Sequence, residues 1–209
     1  MSRTEKSFVQ KVHLTPPNLA DNTGDADRLV RALRKQTKAS IIEIDLELLK
    51  DLPQLLRKYD YHVKCLMFSG YGSSFLTGVC GIKTDKTLAG IAVDLGTTKV
   101  VLRLINLETK RILAESLFVN PQIKIGADIL SRIHYADTDS GLEKINKLII
   151  DSLNYNIKAL CSLGAIETSD VYCLTIAGNT AMTHLFLGLN PKWIIREPLY
   201  TSSKQSTGF

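Results

Sequence analysis

The residues best suited to chemistry form a short polar run, Asp94-Leu95-Gly96-Thr97-Thr98-Lys99, held between two apolar segments. An acid, a glycine and two hydroxyls this close together suit a phosphate and its counter-ion. Gly96 would let backbone N–H groups approach an oxyanion without a Cβ in the way, and Thr97 and Thr98 would add hydroxyl donors. Asp94 is placed to hold Mg²⁺ through water. An ordinary turn, with Gly for geometry and Asp for a local hydrogen bond, uses the same residue types; the two threonines and the apolar flanks favour phosphate. A second polar turn, Gly178-Asn179-Thr180, closes another apolar run and opens a helical pattern. A strand ending there puts Asn179 and Thr180 at the carboxyl edge of a sheet, where α/β folds bind ligands, and free N–H groups at the helix start favour an anion. A structural Asn cap accounts for the same residues.

The elements that must position these turns follow from hydrophobic period. Residues 91–93 and 100–104 are apolar and rich in β-branched side chains, which predicts a hairpin covered on both faces. A third strand is expected over residues 111–119, a loop over 120–126 and a short helix over 128–135. Leu142, Ile145, Leu148, Ile149, Leu153, Ile157 and Leu160 form one stripe of a long helix over 141–163. The strand over 171–176 then enters the second turn. Met182, His184, Leu185 and Phe186 read as core.

Upstream, residues 1–12 read as a polar linker, 13–87 as a small α/β domain and 88–209 as a larger one. A strand over 12–14 stops at Pro16-Pro17. Asp25 or Asp27 is expected to cap a basic helix with Leu29, Val30 and Leu33 inward. A strand over 41–44 precedes an Asp45-capped segment, 46–59, which Pro53 should split into two short helices. Strands over 62–68 and 75–82 flank the turn Ser69-Gly70-Tyr71-Gly72-Ser73. That glycine-rich turn lacks the Lys-Ser or Lys-Thr of a Walker loop and is read as a plain turn.

Composition bounds the function. The chain has 209 residues, 44% of them hydrophobic, and a formal charge of +5, enough to bury a core of one or two domains. Arg28, Arg31, Arg34, Lys35 and Lys38 lie at helical spacing, as a solvated face or a docking face for an acidic partner. Aromatics do not interleave with them, so a nucleic-acid platform is not expected. The four cysteines, Cys65, Cys80, Cys161 and Cys173, are widely spaced in apolar segments, without zinc or iron–sulfur spacing. Reduced, buried thiols in a cytoplasmic protein are the expectation, with no membrane span. His13 and His62 each read as a surface or packed histidine.

Asp94-Leu95-Gly96-Thr97-Thr98 resembles the first phosphate loop of the actin, sugar-kinase and heat-shock-chaperone ATPase superfamily. With Asn120-Pro121-Gln122, Gly126-Ala127-Asp128-Ile129-Leu130-Ser131-Arg132-Ile133, Ala177-Gly178-Asn179-Thr180-Ala181-Met182-Thr183-His184 and Leu187-Gly188-Leu189-Asn190-Pro191, the chain is similar to the ATP-dependent reductive activators of corrinoid proteins. The resemblance implies an α/β fold: a small α/β middle domain, then a partial actin/sugar-kinase-like, ribonuclease H-like ATPase lobe with a mixed sheet. It implies ATP and Mg²⁺ as cofactors, held by Asp94, Gly96, Thr97, Thr98, Lys99, Gly178, Asn179 and Thr180, with Lys99 reaching a phosphate or pointing to water. Asn120, Gln122, Asp128 and Arg132 inherit a candidate binding role in a cleft beside the phosphate site; on a helix surface Arg132 would equally make a weak ion pair.

The same resemblance implies a corrinoid protein as partner and Co(II) to Co(I) reduction by an iron–sulfur domain, for which this chain has no ligands. A second acidic loop and an adenosine-binding Gly-Gly are not found after Tyr200, so a truncated member is expected, binding ATP weakly if at all. A non-catalytic interaction module, dimerising through the small domain, and a sugar-kinase-like fragment remain as the other readings.

Overall fold

Two hydrophobic cores, one on each side of residue 88, organise the chain. The computed structural model describes residues 8–70 and 73–196, and these divide into two units, Met1–Leu88 with Leu107–Lys110, and Ala89–Asn106 with Arg111–Phe209. The first seven residues of the expected linker, Tyr71 and Gly72 of the glycine-rich turn, and the tail from residue 197 onward lie outside the described residues.

The first unit contains β1 (Val9–His13), α1 (Asp25–Thr37), β2 (Ile41–Ile44), α2 (Leu46–Lys58), β3 (His62–Gly70) and β4 (Ser73–Gly81). Its sheet runs β1-β3-β4-β2, antiparallel except for the parallel β2–β4 pair. Alternate strand residues Val63, Cys65, Met67 and Leu76 share a core with Leu29 and Leu33 of α1 and Leu52 and Leu56 of α2. Each such side chain contributes roughly 1.5–3 kcal/mol on burial. The turn Leu107–Lys110 belongs to this unit, where Lys64 Nζ lies 3.0 Å from Glu108 Oε1.

Four expectations for this unit change. β1 begins at Val9, pairing Val9 with Leu66, so residues 9–12 are sheet and not linker; three further rungs on β3 and burial of Val12 outweigh the polar composition. Neither Asp25 nor Asp27 caps α1: Gly24 is the N-cap, and Asp25 instead pairs with Arg57 at 2.6 Å. α2 is not split at Pro53. The proline removes one helical N–H, while Leu52 and Leu56 stay buried and Arg57 Nη1 donates to Pro53 O at 2.7 Å, holding the turn together. Arg28 leaves the basic face and is buried, its Nη1 2.6 Å from Asp21 Oδ2 and its Nη2 donating to Thr23 O. That guanidinium holds the Asp21 carboxyl well below the usual carboxylate range. Arg31, Arg34, Lys35 and Lys38 are exposed.

The second unit contains β5 (Ala89–Leu95), β6 (Lys99–Asn106), β7 (Ile112–Val119), a 3₁₀ turn (Pro121–Lys124), α3 (Ile129–Tyr135), α4 (Asp139–Leu163), β8 (Val171–Gly178) and α5 (Thr180–Leu187). Its sheet runs β7-β6-β5-β8, an antiparallel meander with β8 added parallel to β5. Ile91, Val93, Leu95, Val100, Leu102 and Leu104 share a core with Ile145, Ile149, Leu153 and Leu160 of α4 and with Met182 and Leu185 of α5. The hairpin is not covered on both faces. Ala92, Asp94, Val101 and Arg103 alternate onto a face that is half-buried or exposed, where Leu117 keeps 58% of its surface. A small residue and charges at every second position break the apparent apolar run into a one-sided strand.

Candidate functional site at the carboxyl ends of β5 and β8

The parallel register pairs Leu95 with Gly178, so β5 and β8 end side by side and the two polar turns leave the same edge of the sheet. Close approach requires glycine at the first end and favours it at the second. A Cβ on Gly96 would fall well inside contact distance of the Lys99 carbonyl, and one on Gly178 would meet Leu95 O at 3.1 Å. Across this edge Asn179 Nδ2 donates to Thr97 Oγ1 at 3.1 Å, joining residues 82 positions apart. Asn179 also caps α5, its Oδ1 accepting from Met182 N at 2.9 Å. Its cap role and its place beside Thr97 therefore coexist in one side chain, and the remaining first-turn N–H groups of α5 have no helical acceptor.

The other candidates distribute around this pair. Thr98 and Lys99 are exposed, and the Thr98 carbonyl accepts from Asn120 N at 2.9 Å. Lys99 opens β6 opposite Val119. Thr180 is exposed, its carbonyl 2.7 Å from His184 Nδ1. Asp94 stands one residue before the end of β5, exposed on the uncovered face between Val101 and Ala177. Its charge reaches Arg103, whose guanidinium is held protonated chiefly by Glu115.

Asn120, Gln122 and Arg132 do not line an open cleft; all three are fully buried. Asn120 Nδ2 donates to Gly96 O at 2.9 Å and Gln122 Nε2 to Ile145 O at 3.0 Å. Arg132 makes no ion pair on a surface: Nε donates to Gly126 O at 2.8 Å and Nη1 to Met182 Sδ at 3.7 Å. Burial lowers the Arg132 pKa, and the charge of Asp128 opposes that. Asp128 is exposed and caps α3, accepting from Ser131 N at 2.9 Å and Ser131 Oγ at 2.7 Å, which holds its carboxyl below the ordinary range. The inward turn of Arg132 was available in the sequence. With Asp128 as N-cap, Ile129, Arg132 and Ile133 share one helix face.

No iron–sulfur ligand set assembles among the described residues. Cys65 and Cys80 lie on neighbouring strands of the first unit and Cys161 and Cys173 in the second, none of them in a disulfide. Burial pushes Cys65 up to about 12. His13 and His62 are register partners, their rings edge-on at 4.9 Å, yet no group of three His, Cys, Asp or Glu among the described residues could hold a metal ion. No described helix is long and apolar enough to cross a membrane.

Two mixed sheets, the second presenting paired polar turns at the carboxyl ends of parallel strands, define a mixed α/β protein with a ligand-type edge. Comparison with known proteins narrows this class. The chain belongs to the RACo family: residues 4–86 match the RACo linker region and residues 89–209 the RACo middle region. It is 34% identical over 163 residues to the corrinoid activation enzyme RamQ of Eubacterium limosum, covering 71% of this chain and 28% of that protein. It also matches the solved structure of a "Reductive activator for corrinoid,iron-sulfur protein", with a TM-score of 0.81 and 31% identity, over 95% of this chain and 32% of the other. The chain thus spans about a third or less of the relatives it matches.

Proposed function

We propose that this chain contributes one half of an ATP site to a reductive activator of a corrinoid protein. The observation that carries this reading is the hydrogen bond between Asn179 and Thr97, which places two glycine-bearing turns against each other at the ends of parallel strands. In that reading Gly96, Thr97, Thr98 and the first turn of α5 surround the phosphates with backbone N–H and hydroxyl donors. Gly178 admits the close approach of the second turn, Asn179 fixes its distance from the first, and Thr180 and Lys99 lie at the rim. Asp94 suits Mg²⁺, which keeps most of its waters and needs one or two carboxylates beside the phosphates; its carboxylate is exposed at the strand end. When bound, Mg²⁺ neutralises charge that develops on the phosphates.

The region from residue 88 onward would be the first lobe of an actin/sugar-kinase-like ATPase domain and residues 13–87 a separate small domain, a possible surface for a homodimer. Electron delivery for Co(II) to Co(I) reduction would come from an iron–sulfur domain, and the four cysteines described here do not fit such a cluster. Thiols outside disulfides suit a cytoplasmic setting. The test is calorimetric titration of Mg·ATP into the wild-type chain and an Asp94→Ala, Thr97→Ala double variant. Weak, saturable heat in the wild type that disappears in a folded double variant is expected; no heat from the folded wild type would overturn the reading.

A further inference from the structure

Polar groups of the second unit, buried from Asn120 to Arg132 and open to solvent at Asn179, form one continuous path that leaves the site and returns to it. Thr97 Oγ1 accepts from Asn179 Nδ2, and Asn179 Oδ1 from Met182 N. Met182 Sδ accepts from Arg132 Nη1, and Arg132 Nε donates to Gly126 O. Gly126 N donates to Gln122 O at 3.1 Å, Gln122 N to Asn120 Oδ1 at 3.0 Å, and Asn120 Nδ2 to Gly96 O. Gly96 and Thr97 are adjacent, so one peptide bond closes the ring. Gln122 Nε2 pins it to α4 through Ile145 O.

Arg132 is the member of this ring that joins the loop after β7 to the helix after β8. It is 0% exposed, and its charge is served by one carbonyl and one thioether, a weak acceptor. Its Nη2 and the Oε1 of Gln122 are buried without a partner. Among the described residues no carboxylate lies within ion-pair distance, and Asp128, whose charge it feels, is exposed and engaged by Ser131. A full positive charge in that setting is costly unless something balances it. An anion at the two turns has the sign that would balance it, and Met182 links Arg132 to the Asn179 cap at that edge.

We propose, resting on the phosphate reading above, that Arg132 is a positioning residue of the anion site: it sets the separation of Thr97 and Asn179 and supplies buried positive charge behind them without touching the ligand. A guanidinium suits this because its donors diverge in a fixed fork toward Gly126 and Met182, which an ammonium cannot reproduce.

The test uses Arg132→Met and Arg132→Lys in the chain, read first without ligand by NMR of the Thr97 methyl and the Asn179 side-chain amide. In a folded Arg132→Met protein both resonances are expected to shift, and Mg·ATP affinity to fall by about tenfold, the scale of a lost hydrogen bond to a charged group. Arg132→Lys, restoring charge but not the fork, is expected to recover part of the affinity while Asn179 stays displaced. Unmoved resonances in folded Arg132→Met would overturn the positioning role, and a Lys variant binding no better than Met would overturn the role of the charge. If Arg132→Met fails to fold, Met182→Leu breaks the same link at nearly constant volume, and an unmoved Asn179 amide there overturns the proposal. Absence of ATP binding by the wild type would count against the nucleotide reading, while the ligand-free spectra still decide whether Arg132 sets the two turns.

Discussion

The two units are built to the same sheet plan, two antiparallel steps followed by one parallel step, and they end their parallel pairs differently. In the first, β2 stops at Ile44 opposite Leu76 while β4 continues to Gly81, so the strand ends are staggered. In the second, β5 and β8 stop together at Leu95 and Gly178. The buried charges differ in the same sense. Arg28 and Lys64 of the first unit meet Asp21 and Glu108, whereas Arg132 of the second meets no acid among the described residues. The first sheet ends its parallel pair staggered and matches its buried charges; the second ends its parallel strands together, the kind of edge at which α/β folds bind ligands.

The largest expected effect tests whether the units are independent. Leu102→Ala and Leu33→Ala each remove a fully buried side chain, at a cost of about 2–5 kcal/mol. Trp193, the single tryptophan, lies in the second unit. Urea unfolding followed by its fluorescence should shift strongly for Leu102→Ala and stay in place for Leu33→Ala; a shift in both would show one cooperative unit.

Helix caps sharpen the contrast at smaller cost. Asp45 and Asn179 perform the same task, accepting from Glu47 N and Met182 N. Replacing Asn179 by Ala should cost about 1 kcal/mol, with thermal melts showing a comparable loss for Asp45→Ala. Titration of both variants with Mg·ATP should separate them, because only Asn179→Ala also loses the bond to Thr97. Equal affinities would remove the functional half of the comparison.

The smallest effect is the acid response. The folded-state pKa of Asp21 is depressed by Arg28, so its contribution is present above the unfolded value of about 3.8 and disappears as pH falls from there through the folded value. Melting of wild type and Asp21→Asn from neutral pH down through that range should show a constant separation above about pH 4 that closes as pH falls below it. Parallel curves would mean that the pair adds nothing to the first unit.

Much of this was legible in the sequence, and the reasons are local. The turn at Gly96, the strand over residues 171–176, the caps Asp45 and Asn179 and the long apolar stripe of α4 are all set by side chains within a few residues of one another. Period, capping and turn chemistry act over that range. Pro53 shows the limit: one lost helical bond predicts a break, but a helix anchored by Leu52 and Leu56 in a core runs through it.

What only the tertiary structure decided is which face meets what. Arg28 is a charged residue at helical spacing with nothing local to distinguish it from a solvated face; Arg132 shares an inward helix face with Ile129 and Ile133, but its partner Met182 lies far off in the chain. Asp21 and Thr23 draw the first inward, and Gly126 and Met182 draw the second. The hairpin read as covered on both faces because its β-branched run outweighed the alternating Ala92, Asp94 and Arg103, which the exposure of that face makes decisive. By itself the sequence determined two polar turns, each with its glycine. Their meeting through Thr97 and Asn179 depended on the parallel register of β5 and β8, a pairing that closes only when the chain between them has folded.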